Sequence, residues 1–210
     1  MKKLAALVLA IAPYFADAVM QKEIDGYLAV KFGMTRAEAE KALGAPFTSC
    51  EAGETGPHES CFTAKAAEIT GVPVTFNLWF LDGRLIKVGV AFVMEGGPAG
   101  RIAKYDELGR LLESKYGKCD QVDRDGISEE ALERQGRAWA MHWWGPGRET
   151  AIALVLQSHG SESGLRPRVE YYDATRMREW WARKKAAEAQ AERLEAERRQ
   201  AKLKKEADKL

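Results

Sequence analysis

Residues 72–93 read VPVTFNLWFLDGRLIKVGVAFV and carry the signal that decides the fold. Two runs rich in β-branched and aromatic residues flank Asp82-Gly83, a dipeptide typical of the tight turn in a β-hairpin. In the first run apolar residues recur at every second position, the period of a half-buried strand. The stretch therefore predicts an antiparallel hairpin around which the rest of the chain is arranged.

The length of the turn decides the register of this hairpin. A two-residue loop would pair Leu78 with Lys87 and place a charge among apolar side chains, whereas a three-residue loop pairs Leu78 with Ile86. Since a slip of one residue turns every side chain to the opposite face, we expect the three-residue loop, 81–83. The face predicted to be buried then carries Val74, Phe76, Leu78, Phe80, Ile86, Val88, Val90 and Phe92. The opposite face is predicted to carry Thr75, Asn77, Trp79, Leu85 and Lys87.

Two helices are predicted, one before and one after the hairpin. Thr35 and Glu38 form a capping box that starts the first helix, and Gly44 followed by Pro46 ends it. The second helix runs from about residue 101 to residue 116, where apolar side chains recur at helical spacing. Its apolar stripe, the expected partner of the hairpin's buried face, consists of Ile102, Tyr105, Leu108, Leu112 and Tyr116.

Three further strands are predicted at 138–144, 151–157 and 168–172. The order of elements predicts an α+β fold, an antiparallel sheet of about five strands covered on one face by two helices. The order helix, loop, strands also occurs loosely twice. From 176 to 210 the chain reads as a long charged helix without a sustained heptad pattern. We therefore predict one α+β domain, 19–175, followed by a C-terminal helical tail.

The N-terminus has the pattern of a secretory signal peptide. Lys2 and Lys3 precede an apolar run, and Ala16-Asp17-Ala18 provides a signal-peptidase site, so residues 1–18 are predicted to be removed. The alternative is an uncleaved membrane anchor, but the run is far shorter than the ~20 residues that a span needs. No cysteine lies at the cleavage point, so no lipid anchor is predicted. We expect a periplasmic or secreted protein with no transmembrane span after cleavage.

The charge balance does not indicate a nucleic-acid partner. The chain has 32 Lys and Arg and 31 Asp and Glu, a formal net charge of +1. After signal cleavage the balance is neutral, with a basic excess on the tail and an acidic excess on the domain. This distribution is not that of a nucleic-acid-binding protein, and export also argues against one. No oligomeric state follows from these patterns.

The three cysteines are Cys50, Cys61 and Cys119. In an oxidising compartment we expect a disulfide between Cys50 and Cys61, closing a loop that has no helix or strand period. Two free thiols are the alternative. Cys119 is left over and is expected to be a small buried residue; the alternative is a reactive thiol or an intermolecular bridge.

No pattern in the sequence indicates catalysis or a metal site. Asp123 and Asp125 resemble part of a calcium-binding loop, but the spacing places Gln121 and Leu132 where carboxylates are required. The serines within residues 160–164 have the wrong offsets for a G-x-S-x-G nucleophile motif. We therefore predict no catalytic residues, no metal and no cofactor; the alternative is an active site assembled from distant residues.

Aromatic doublets give the clearest indication of a binding surface. Neighbours on a strand point to opposite faces, so Trp143-Trp144 and Tyr171-Tyr172 should each bury one ring and present the other. The alternative is that the tail helix folds back and covers these rings with Trp180 and Trp181. His142 is expected to point outward. The candidate surface for a protein partner is Trp79, Leu85, Trp144 and Tyr172.

Residues 30–92 resemble the exported α+β modules shared by the β-lactamase inhibitor protein and the small lipoprotein subunit of the outer-membrane barrel-assembly machinery. The shared features are the helix start Phe32-Gly33-Met34-Thr35, the helix end Leu43-Gly44 and the aromatic hairpin turning at Asp82-Gly83. The cysteine-bounded loop is closer to the inhibitor. The resemblance implies a binding module without catalytic residues, which contacts another envelope protein through its sheet and loops.

The sequence therefore predicts an exported, non-catalytic protein-binding or accessory module of the cell envelope, whose partner is an envelope or secreted protein. One alternative is an enzyme whose site assembles in space. The other is a scaffolding protein that acts through its C-terminal helix.

Overall fold

The computed structural model describes residues 24–53, 58–64, 67–95, 97–125, 139–145, 149–157 and 166–207. The predicted signal peptide and the serines of residues 160–164 lie outside these ranges. In chain order the elements are the strands β1 (Gly26–Tyr27) and β2 (Val30–Lys31), the helix α1 (Arg36–Leu43), the strands β3 (Phe47–Ala52), β4 (Glu59–Thr63), β5 (Ala67–Ile69), β6 (Val72–Leu81) and β7 (Arg84–Phe92), the helix α2 (Pro98–Tyr116), the strands β8 (Gln121–Asp125), β9 (Trp139–Trp144), β10 (Thr150–Gln157) and β11 (Arg166–Asp173), and the helix α3 (Ala174–Ala207).

In the described part of the chain, nine strands form one antiparallel sheet in the order β3-β4-β6-β7-β11-β10-β9-β8, with β5 paired to the part of β6 that β4 leaves open. The predicted α+β class is confirmed, but the predicted sheet of about five strands was too small. Strands β3, β4, β5 and β8 were missed because their sequences are short and polar and lack the apolar alternation of a half-buried strand. Pairing with a neighbour, and not propensity, brings them into the sheet.

The sheet consists of two halves that share one order of elements. In each half a helix is followed by an antiparallel meander, α1 with β3, β4, β6 and β7, and α2 with β8, β9, β10 and β11. The last strands of the two meanders, β7 and β11, pair antiparallel at the centre of the sheet. The loose repeat seen in the sequence is therefore a repeat of topology.

The core lies between the sheet and the elements that cover one of its faces, the core face. The capping box of α1 is present, since the Thr35 amide donates to Glu38 Oε2 at 2.8 Å and the Thr35 hydroxyl accepts from the Glu38 amide. The predicted stripe of α2 is buried except for Ile102, which is half-buried, and α2 packs mainly against β10 and β11. The hairpin, its expected partner, lies instead under α1 and β1.

The hairpin β6–β7 turns through Asp82 and Gly83, whose φ angles of 51° and 72° are those of a two-residue type I′ loop. The predicted three-residue loop is wrong, and so are its pairs. Leu81 faces Arg84 and Phe80 faces Leu85, but Trp79 faces Lys87, so Ile86 is the extra residue of a β-bulge. The bulge turns Leu85 to the core face and Ile86 to the opposite face, and it restores the predicted burial of Val88, Val90 and Phe92.

The helix α3 docks through its N-terminal part on the face opposite the core, the outer face. Met177 and Trp180 pack against Leu81 and Ile86, and the Arg183 guanidinium makes two contacts of 2.9–3.0 Å with the Asp82 carboxylate in the hairpin turn. After Lys184, all described side chains of α3 are exposed. Within the described ranges, no helix combines the length and the apolarity needed to cross a membrane.

Candidate functional site

The outer face carries a groove of about 380 Å³, the outer-face groove. Strand register places the residues of the outer face in rows across β6, β7 and β11. One row is Trp79, Lys87 and Tyr172; the next is Asn77, Gly89 and Glu170; the third is Thr75, Ala91 and Arg168. Since the positions belong to paired strands at the centre of the sheet, the groove has a rigid floor. Its walls and floor are formed by Phe62, Thr75, Asn77, Trp79, Lys87, Gly89, Ala91, Arg168 and Glu170.

A buried ion cluster lies at the bottom of the groove. Lys87 Nζ and Arg168 Nε each lie 2.9 Å from Glu170 Oε1, and the Tyr172 hydroxyl donates to Glu170 Oε2. Only 8% of Lys87 and 7% of Glu170 is accessible to solvent. A buried charge requires a charged partner and hydrogen bonds. Glu170 Oε1 has two cations as partners, and Oε2 has the hydrogen bond from Tyr172.

The electrostatics of the cluster keep Glu170 ionised. Burial alone would raise the pKa of Glu170, but the positive charges of Lys87 and Arg168 and the Tyr172 hydrogen bond outweigh it and lower the pKa to about 2. Burial lowers the pKa of Lys87, an effect that the Glu170 carboxylate opposes. Burial and the neighbouring carboxylate together raise the pKa of Tyr172 well above its ordinary value, so the phenol remains a donor.

Aromatic rings form one end of the groove. Lys87 Nζ lies 4.0 Å from the centre of the Trp79 ring, a cation–π distance. The His58 ring also stacks on the Trp79 ring, with the two centroids 4.1 Å apart. Trp180 Nε1 donates to His58 Nδ1 at 3.0 Å, so α3 is tied to the loop between β3 and β4. The groove and the docked helix therefore share Trp79.

The predicted surface residues divide into two pairs. Trp79 and Tyr172 lie on the outer face, where both are half-buried. Leu85 and Trp144 are fully buried on the core face, so their prediction as surface residues is wrong. The bulge at Ile86 turns Leu85 inward. On β9 the other member of the doublet, Trp143, takes the outer face, where it stacks with Tyr172 at a centroid distance of 5.7 Å.

The tail helix and His142 of β9 were also the subject of predictions. Trp180 is buried against Trp79 as the alternative interpretation expected, whereas Trp181 remains 50% exposed, so the tail helix covers only one end of the outer face. His142 does not point outward. It shares the core face with Trp144, and its Nδ1 lies 2.6 Å from the Tyr105 hydroxyl of α2.

The sequence interpretation missed Arg168 and Glu170, although a signal was present. In Arg166–Asp173 the charged residues Arg166, Arg168 and Glu170 alternate with Pro167, Val169 and Tyr171. Charged residues at every second position of a central strand predict a polar face, and a buried strand with such a face requires partners for its charges. Lys87, at the same face of the hairpin, was the partner to look for.

The predicted disulfide between Cys50 and Cys61 is confirmed, with an S–S distance of 2.08 Å. The two cysteines face each other on β3 and β4. Glu59 lies close to both sulfur atoms, but bonded sulfurs cannot act as thiolate metal ligands, so this cluster does not form a metal site. Cys119 is half-buried. Burial is the larger cause that raises the pKa of its thiol, and the nearby Glu113 carboxylate is the second.

The protein is thus an α+β protein whose sheet is covered by helices on one face and carries a groove on the other. Comparisons of the chain with protein families, with curated proteins and with solved structures find no match. The geometry of the outer face therefore carries the functional conclusion.

Proposed function

We propose that this protein is an exported, non-catalytic binding module that contacts another protein of the cell envelope through its outer-face groove. The observation that carries the proposal is the groove itself, a rigid concave surface with half-exposed aromatic rings beside fixed polar groups. Such a combination is typical of the centre of a protein interface. The resemblance of residues 30–92 to exported binding modules favours the same interpretation.

The ion cluster favours binding over catalysis. A lysine acts as a nucleophile when its amine is neutral and free, but the Lys87 ammonium group is held by Glu170 and lies against the ring of Trp79. Glu170 is ionised and accepts hydrogen bonds on both oxygens. Groups engaged in this way fix the shape and charge of a surface and are poorly suited to transferring protons.

Export is part of the proposal and rests on the N-terminal sequence. The pattern of residues 1–18 is that of a secretory signal peptide. The Cys50–Cys61 disulfide is compatible with an oxidising compartment, where such bonds persist. Fractionation of cells that express the full chain, with the N-terminus of the product sequenced, tests this part. Recovery of an uncleaved protein in the cytosol would contradict it.

The binding face is tested by site-specific photo-crosslinking in the native envelope. A benzoylphenylalanine placed at Phe62, an exposed ring at the edge of the groove, is expected to give one specific crosslinked product. The matched control is the same residue at Leu111, which is also exposed but lies on α2, on the core side of the sheet. No product at either position, or equal products at both, would contradict the proposal.

A second candidate function, scaffolding through the tail, is favoured by one observation. The described side chains of α3 after Lys184 are exposed, and the sequence of residues 198–205 contains five basic residues and no acidic one. Deleting residues 185–210 retains Trp180 and Arg183 and therefore the docked part of the helix. If the groove is the interface, crosslinking at Phe62 persists in this deletion variant, whereas its loss would favour the scaffold.

A further inference from the structure

We infer that the outer-face groove binds a carboxylate side chain of the partner, with an apolar side chain next to it in the partner's chain. This inference deepens the proposed function and rests on it. Three features of the groove favour such a ligand: its charge, its unused hydrogen-bonding groups and the apolar surface at its edge.

The charge of the groove is positive. Lys87 and Arg168 supply two positive charges, and Glu170 supplies one negative charge. The carboxylate is surrounded by Lys87, Arg168 and Tyr172, and both of its oxygens accept from them. Its negative charge is therefore directed into the cluster, and the remaining positive charge belongs to Arg168, the more exposed of the two cations. An anionic ligand complements this surface.

The unused hydrogen-bonding groups are mainly donors. Asn77 Oδ1 already accepts from the Ser60 hydroxyl at 3.1 Å, which leaves the amide N–H groups of Asn77. Arg168 uses Nε for Glu170 and Nη2 for Gln157, at 3.1 Å, which leaves Nη1. Among the described residues, neither of these nitrogens has a partner, and the same holds for the Thr75 hydroxyl. A ligand that offers acceptors satisfies them, and a carboxylate has only acceptors.

The edge of the groove adds an apolar contact. Phe62 is 39% exposed on β4, next to the row that contains Asn77. Gly89 has no side chain and Ala91 has only a methyl group, so both leave depth at the centre of the groove. A carboxylate near Arg168 and Asn77 thus allows a neighbouring apolar group to lie against the Phe62 ring. A purely apolar ligand would bury the donors without partners, and a cation would meet a positive surface.

The test uses two capped peptides, acetyl-Gly-Phe-Glu-Gly-amide and its Gln counterpart, titrated into the isotope-labelled mature protein by NMR. The Glu peptide is expected to shift the signals of Asn77, Gly89 and Arg168 and to bind about tenfold more tightly than the Gln peptide. Arg168→Gln should lower the affinity for the Glu peptide about tenfold. The control Arg36→Gln removes an exposed cation of α1 and should leave the affinity unchanged.

A second variant guards against loss of structure at Arg168. Asn77→Asp keeps the acceptor that Ser60 uses and adds a negative charge, so it should weaken binding of the Glu peptide about tenfold and change the affinity for the uncharged Gln peptide much less. Equal affinity for the two peptides, or binding of neither, overturns the inference. If crosslinking at Phe62 still captures a partner in that case, the proposed function stands without it. If the Glu peptide binds selectively but no partner is captured, the proposed function fails and the carboxylate site stands.

Discussion

The Lys87 ammonium group lies 2.9 Å from Glu170 Oε1, and the two residues are diagonal neighbours on the paired strands β7 and β11. Because β7 ends the first half of the sheet and β11 ends the second, this ion pair joins the two halves on the outer face. The same pair forms the bottom of the groove. Stability of the sheet centre and charge of the binding surface therefore depend on the same side chains.

Removing one partner of this pair is expected to destabilise the fold. Lys87→Met leaves Glu170 buried with Arg168 as its remaining cation, so we expect a loss of about 3 kcal/mol in the free energy of unfolding. Urea denaturation measures it. The double variant Lys87→Met, Glu170→Gln has no buried negative charge and should be more stable than the single variant. A double variant as unstable as the sum of the two single changes would show that the pair is not coupled.

The cluster should also give the fold a characteristic dependence on pH. The folded-state pKa of Glu170 is lowered from 4.5 to about 2, so its contribution to stability is present above pH 4.5 and is lost as the pH falls towards 2. The shift corresponds to about 3 kcal/mol. Urea denaturation of the wild type and of Glu170→Gln across this range should show their stabilities converging as the pH falls. A constant difference between the two proteins would contradict the assignment.

Docking of the tail helix depends on Trp180, which is only 2% exposed. Trp180→Ala removes the ring from the contact with Leu81 and Ile86, and we expect a loss of about 3–5 kcal/mol in the free energy of unfolding. Trp181, its neighbour on the same helix, is 50% exposed, and Trp181→Ala should cost less than about 1 kcal/mol. Hydrogen exchange of residues 174–184 should rise only in the Trp180 variant. Equal effects of the two changes would contradict the docking.

Gly53 provides the space that the His58 ring occupies. A Cβ atom on residue 53 would lie 2.1 Å from His58 Cε1, so Gly53→Ala must displace the ring from its stack on Trp79. We expect a loss of about 1–3 kcal/mol and a change in tryptophan fluorescence. Gly100→Ala, in α2, is the matched control. A Cβ atom added at residue 100 would have no neighbouring atom within 4 Å, so this change should be neutral or stabilising. Unchanged fluorescence in Gly53→Ala would argue against this packing.

The features that could be predicted from the sequence are those with local signals. The caps of α1, the stripe of α2 and the Asp82-Gly83 turn each depend on residues a few positions apart, and all three are present. The disulfide was predicted from the spacing of the two cysteines and from an expected oxidising compartment. The bulge at Ile86 had no such signal, because it depends on which apolar side chains meet α1 on one face and Trp180 of α3 on the other. The bulge therefore depends on tertiary contacts, which the hydrophobic pattern of the hairpin does not contain.

Only two of the four residues predicted for the candidate surface, Trp79 and Tyr172, lie on the outer face, and the reason is related. Alternation specifies the faces of a strand only when one set of positions is clearly apolar. In Trp139–Trp144 both sets contain large aromatic or apolar residues, so the sequence did not distinguish Trp143 from Trp144. The structure buries Trp144, and its indole Nε1 donates to the carbonyl oxygen of Gly117 at 2.9 Å, the partner that a buried indole needs. The charged alternation of Arg166–Asp173 was visible and would have identified Glu170.

The strands at the two ends of the sheet have a further consequence, for association with other chains. An open sheet exposes unpaired backbone groups along its outermost strands, which can recruit another chain and begin aggregation. Among the described strands, the ends of the sheet are β3 and β8, with the sequences FTSCEA and QVDRD, while β5, which pairs only with β6, has an edge of three residues. β8 has three consecutive charged residues of alternating sign. β3 is short, has an irregular register at its start and is covalently joined to β4 by the disulfide. β3 and β8 are therefore poor templates for strand addition. We expect this to prevent the sheets of two protein molecules from joining edge to edge.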